Sequence, residues 1–144
     1  MKKVLSFAVL SLCALGLVFA GGGKDSGSAV SPSAGGKQVT VRLLTDATGI
    51  DDKSFNAAAW RGILEFYGDT WTNTSQRGEA YDVVTAQTQD MYIPNLKQAT
   101  DEGYDLIVCT GFTFADALTE VAAQNPDQKY MIVDVDWVGL PNVL

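Results

Sequence analysis

From Val39 onward the chain alternates between two kinds of apolar run, and this alternation restricts its fold more than any other feature. The runs 39–44, 81–86, 105–109 and 130–133 are short, rich in β-branched residues and bounded by polar residues or glycine, as strands are. Between them, 54–67, 91–102 and 113–124 carry apolar residues at helical spacing. In the first of these, Phe55, Ala58, Ala59, Gly62, Ile63 and Phe66 follow the i, i+3, i+4 rhythm, and Gly68 is the expected stop. Strand, helix, strand repeated through four strands calls for right-handed crossovers. The expected class is α/β, a parallel sheet with helices on both faces. The polar stretch from Asp69 to Ala80, with Trp71 in it, is longer than an ordinary connection and is expected to be a surface loop.

The segment before this pattern is of another kind. Lys2 and Lys3 precede an apolar run from Val4 to Phe19, and small residues follow at Ala20, Gly21 and Gly22. Residues 1–20 therefore have the composition of an export signal, with cleavage expected after Ala20. A lipid anchor would need a cysteine beside the cleavage point, where Gly22 stands; Cys13, behind Leu12 in the apolar run, is a poor acceptor. Residues 21–37 are mostly Gly, Ser, Ala, Pro and Lys and are expected to be a flexible tether, since they cannot bury enough apolar surface to offset chain entropy. The remainder, 38–144, is large enough for one domain.

Losing Lys2 and Lys3 from 10 basic and 17 acidic residues leaves a net charge of −9, a surface that repels phosphate polymers, so nucleic acid is not an expected partner. With Cys13 gone, Cys109 is the remaining cysteine. In its apolar run it reads as a buried thiol, and a disulfide framework is excluded.

Open parallel sheets bind ligands outside the carboxyl ends of their strands. That rule selects Thr45, Asp46, Thr48 and Gly49 after the first strand, Thr110, Gly111 and Phe112 after the third, and Asp134 and Asp136 after the fourth. Asp51 or Asp52 is expected to cap the first helix. Asp46 stands before the glycine, at the strand end, where a carboxylate faces the crevice or closes a local turn. Phe55 and Asn56, in the first helical turn, would supply a stacking face and a bidentate amide, although Phe55 could equally pack in the core. Acceptors beside an aromatic face suit a neutral, planar ligand bearing hydroxyls; free phosphates and carboxylates would be repelled. The chain has no histidine, no cluster with metal-ligand spacing and no strand-linked phosphate loop, and Ser54 has no nearby base. Strand alternation would put Asp134 and Asp136 on one face without setting their pKa values. Catalytic residues, metals and cofactors are therefore not expected.

Three separated motifs carry a family likeness: LLTDATGIDDKSFNAAAWRG at 43–62, DEGYDLIVCTGF at 101–112 and KYMIVD at 129–134. Together they resemble the basic membrane protein family of ABC-transporter solute-binding lipoproteins, which includes purine nucleoside receptors. The likeness covers nearly everything after the tether. It implies a type I periplasmic-binding-protein fold, flavodoxin- or Rossmann-like in each of two lobes, with a nucleoside held between them and a membrane permease as partner. It also implies that Asp46, Phe55, Asn56 and Asp134 line the pocket, with Gly111 and Phe112 at the same rim. Against that family the chain reads as the N-terminal part of lobe one. It is then expected to bind weakly alone, because a ligand stacked on Phe55 without an opposing wall loses about 1–3 kcal/mol. The Tyr130–Val133 strand is then expected to be an exposed apolar edge. A ligand sensor without a transport role would use the same cleft. A phosphoacceptor domain also gathers acids after strand one, but the export signal removes it from its phosphoryl donors and Mg²⁺. A hydrolase would need an activated nucleophile that the sequence does not supply.

Overall fold

The structure, a computed structural model, describes residues 37–144; the expected signal, and the expected tether apart from Lys37, lie outside the described residues. Four strands and three helices alternate: β1 (Val41–Thr45), α1 (Phe55–Tyr67), β2 (Tyr81–Thr85), α2 (Tyr92–Asp101), β3 (Leu106–Thr110), α3 (Ala115–Gln124) and β4 (Lys129–Val133). All pairings are parallel, in the order β2-β1-β3-β4. The expected α/β class and parallel sheet are present, with element ends shifted by one or two residues.

Strand order and handedness together dictate where the helices lie. The step from β1 to β2 runs one way across the sheet, and the steps from β2 to β3 and from β3 to β4 run the other way. Right-handed crossovers then put α1 on one face and α2 with α3 on the opposite face. Two cores result. Leu44, Ile107, Cys109, Tyr130 and Ile132 meet Leu96 of α2 and Leu118 and Val121 of α3. On the other face Val41, Leu43, Tyr81 and Val108 meet Trp60, Ile63, Leu64 and Tyr67 of α1.

The α1 stripe differs from the expected one. Asn56, Ala57, Trp60, Ile63, Leu64 and Tyr67 are buried, while Phe55 and Phe66 stand about half exposed. The largest rings decide the rotation: Trp60 and Tyr67 both reach the fully buried Tyr81, with centroids 5.4 and 4.9 Å away. The Ala59, Gly62 and Phe66 stripe instead walls an apolar groove of about 300 Å3 against Val39, Met131 and Val133.

The stretch from Asp69 to Ala80 is a surface loop as expected, but its first residue is buried. Asp69 accepts from the Tyr81 hydroxyl, the Ser75 hydroxyl and the Gln76 N–H. These donors, Tyr81 foremost, hold its carboxyl below the usual aspartate value, while burial and Asp69 itself push the Tyr81 phenol well above its own.

Two expectations are corrected. β4 is not an open edge: its Tyr130 and Ile132 N–H groups donate to the carbonyls of Asn142 and Leu144 at 2.9 Å each, and the Leu144 N–H returns to the Tyr130 carbonyl at 3.0 Å. The Asn142 amide, itself buried, fixes this segment by donating to the carbonyls of Ala122, Asn125 and Gln128. Secondly, β4 stops at Val133 and Asp134 turns out of it at φ 70°, so strand alternation does not relate Asp134 to Asp136. Aspartate is among the few residues that tolerate this left-handed conformation.

Candidate functional site

Register brings the candidate residues to one edge. Thr45 pairs with Thr85, Leu44 with Cys109, and Thr110 with Val133, so Asp46, Gly111 and Asp134 leave β1, β3 and β4 at one level. At ordinary strand spacing Asp46 and Asp134 leave the sheet about 10 Å apart, across β3. The edge is where the strand order reverses about β1, the position at which open α/β sheets take ligands.

Asp46 closes a tight turn. Its Oδ1 accepts from the Thr48 N–H at 3.0 Å, the Thr48 hydroxyl and the Asn56 amide at 3.0 Å. Its Oδ2 takes no hydrogen bond from the described residues, although Asp46 is only partly buried. Burial alone would raise the carboxyl's pKa, but bonds from the Thr48 hydroxyl, Asn56 and the Thr48 N–H outweigh it and hold it below the ordinary aspartate value. The group is therefore a fixed anion with one free oxygen.

Asn56 is 4% exposed, and its amide is engaged throughout. Besides Asp46, its nitrogen faces the Thr48 hydroxyl and the Gly49 carbonyl, each at 3.0 Å, and its oxygen accepts from the Thr110 hydroxyl. One side chain thus ties the turn after β1 to the first turn of α1 and the end of β3. The structure gives Asn56 the position expected of it, with its hydrogen-bonding capacity turned inward.

The rest of the edge is aromatic and open. Phe55 is 53% exposed and Phe112 63% exposed, so neither is in the core. Gly111 precedes Phe112 at φ 93° and ψ 149°, a conformation that only glycine adopts freely, and its N–H bonds the Val133 carbonyl at 3.2 Å. Trp137, three residues after Asp134, is a further exposed ring, at 64%.

Of the two candidate caps, Asp52 is the one that serves. It accepts from the Ser54, Asn56 and Ala57 N–H groups at 2.9, 3.1 and 2.9 Å. Burial pushes its carboxyl up, and these three donors pull it below the ordinary value. Cys109 is buried as expected, and burial pushes its thiol far above the reactive range. Among the described residues no group of His, Cys, Asp and Glu could hold a metal ion, and no helix is long and apolar enough to cross a membrane.

Residues 39–136 match the family described as ABC transporter substrate-binding protein, PnrA-like. Similar proteins include the CD4+ T-cell-stimulating antigen of Listeria innocua, 33% identical over 92% of this chain and 37% of that protein. The ABC transporter nucleoside-binding protein BmpA of Lactococcus lactis is 32% identical over 92% of this chain and 36% of its own length. A solved ABC-transporter solute-binding protein of Aeropyrum pernix superposes with a TM-score of 0.59 at 32% identity, covering 73% of this chain and 27% of that one. The chain thus spans little more than a third of the length of the curated relatives it matches.

Proposed function

The chain belongs to the PnrA-like family of ABC transporter substrate-binding proteins, and from that premise we propose that its sheet edge is one wall of a nucleoside site in an extracytoplasmic receptor. The observation that carries the reading is Asp46: three donors immobilise Oδ1, Oδ2 takes no hydrogen bond from the described residues, and the donor Asn56 adjoins the exposed Phe55 in the first turn of α1. A fixed carboxylate next to an aromatic face fits a planar base joined to a hydroxyl-bearing sugar. The base stacks on Phe55, and a hydroxyl or ring N–H donates to Asp46. Asp134 offers a second acceptor, Phe112 a second apolar contact, and Gly111 a backbone that a ligand can approach closely. Asn56 acts through Asp46 as its positioning residue.

Held ionised, Asp46 favours the neutral nucleoside over its phosphate by like-charge repulsion. The apolar run behind Lys2 and Lys3 supports export, and the family supports delivery to a membrane permease. The Lactococcus lactis relative, named for nucleoside binding, supports the ligand class. Saturation-transfer NMR, which detects millimolar binding, tests this on the chain with guanosine, inosine, adenosine, their 5′-monophosphates, ribose and free bases. Nucleosides should give base-proton signals that vanish in Asp46→Asn, and Phe55→Ala should weaken binding by about 1–3 kcal/mol. Monophosphates binding as well as nucleosides, or an unaffected Asp46→Asn variant, would defeat the proposal.

A further inference from the structure

A second feature of the surface adjoins the rim, on the shoulder of α1. A shallow cavity of about 490 Å3 opens there, with Ile50 and Ala57 among its lining, Lys53 and Arg61 as its cations, and Trp71 and Asp51 also at its wall. The seven basic residues among the described ones divide into two sets. Lys37, Arg42 and Arg77 are ion-paired at 2.9, 2.5 and 2.9 Å. Lys53, Arg61, Lys97 and Lys129 have no ion pair among the described residues, and two of these four line this one cavity. On a chain carrying 17 acidic residues against 10 basic, two such cations at one cavity stand out, with Asp51 at the same wall and Asp52 beside it in the chain, its carboxyl committed to the start of α1.

The aromatic member is held in place rather than loosely displayed. Trp71 is 44% exposed at the tip of a turn closed by reciprocal bonds, Thr70 N–H to the Asn73 carbonyl at 2.9 Å and Asn73 N–H to the Thr70 carbonyl at 3.1 Å. The buried Asp69 anchors the turn's root through Tyr81, Ser75 and Gln76. A pre-set indole loses little freedom when something packs on it. Lys53 is likewise held in an unusual conformation, φ 55°, between Asp52 and the Ser54 N–H that Asp52 accepts.

We propose that this groove is a docking surface for a protein partner, recognising a segment in which a carboxylate stands beside an aromatic or branched apolar side chain. The carboxylate forks onto the Arg61 guanidinium with Lys53 alongside, and the apolar side chain lies between Trp71 and Ile50. A groove this open would enclose too little of a small molecule, whereas Trp and Arg are the residues that dominate protein–protein contacts. Charge complementarity selects an acidic segment over a basic one and orients its approach. The inference does not depend on the nucleoside reading, since none of Asp46, Phe55, Asn56, Gly111, Phe112 and Asp134 lines this cavity.

The test uses the chain with Trp137→Phe, which leaves Trp71 as the exposed tryptophan, and follows its emission against two blocked peptides, Glu-Phe-Glu and Lys-Phe-Lys. The acidic peptide should shift the emission saturably, with affinity falling several-fold as salt rises from low to physiological strength. Lys53→Glu with Arg61→Glu should reduce its affinity at least about tenfold; both positions are exposed, so the fold is kept. Asp46→Asn should leave it unchanged. Equal binding of the basic peptide, an unaffected charge-reversed variant, no binding of either peptide, or benzoate binding as tightly as the acidic peptide would each overturn the proposal. So would loss of peptide binding in Asp46→Asn, which would move the contact to the rim.

Discussion

Asn56 shows how a single side chain can carry more of the site than its size suggests. Its amide contacts Asp46, Thr48, Gly49 and Thr110 in a buried position, so truncating it orphans several polar groups at once. Asn56→Ala should lower the unfolding free energy by about 1–3 kcal/mol in urea titrations. The same change should let the Asp46 carboxyl titrate closer to the ordinary aspartate range, readable by NMR. Asp52 offers a separate measurement. Its folded pKa lies below its unfolded one, so its contribution is present above the ordinary aspartate pKa of about 3.9 and is lost as pH falls through the folded value. Asp52→Ala should therefore cost about 1 kcal/mol at pH 7, and the difference from wild type should shrink in urea melts below about pH 4. That Asp46 and Asn56 come within reach of one another was legible, because a strand end followed closely by a helix start leaves them little choice. The inward use of the Asn56 amide was not, since it depends on the Thr110 hydroxyl, 54 residues away and brought near only by strand order.

At the scale of the element, α1 marks the boundary of what periodicity can tell. The spacing identified a helix but not its rotation, because two apolar stripes one residue out of phase run along it and only the packing of Trp60 and Tyr67 around Tyr81 chooses between them. The losing stripe faces the groove, and Gly62 lies in it with nothing within 4 Å of where a Cβ would stand. Gly62→Ala should stabilise the chain by about 0.5–1 kcal/mol in thermal or urea unfolding, since helix entropy improves at no steric cost. β4 was misjudged for a related reason: Tyr130–Val133 has the composition of an edge strand, and nothing local announces that Asn142 will dock under α3 and lay the following residues beside it. Asn142→Ala should loosen that pairing. Hydrogen exchange should then speed up at the Tyr130 and Ile132 amides, whose acceptors lie in that segment, while Leu43 in the central strand is unaffected.

At the scale of the whole molecule, six of the nine large apolar side chains that stand exposed among the described residues fall into two sets. Phe55, Phe112 and Trp137 follow strand ends, whereas Val39, Phe66 and Met131 border the groove beside α1. The groove exists because two of the three crossovers place their helices on the opposite face. It should bind anilinonaphthalene sulfonate in the native state, and Phe66→Lys should diminish that fluorescence without lowering the urea midpoint. The strand order has one more effect, in time rather than in space. β1 is central, yet one of its neighbours, β3, joins it through pairs such as Val41 with Leu106. A chain growing from its amino end cannot complete its middle strand until some 65 further residues have been made, and closing so large a loop is slow. Nascent chains halted before Thr110 should show no lasting amide protection in β1. A protein destined to be threaded through a membrane before it folds would be served by that delay.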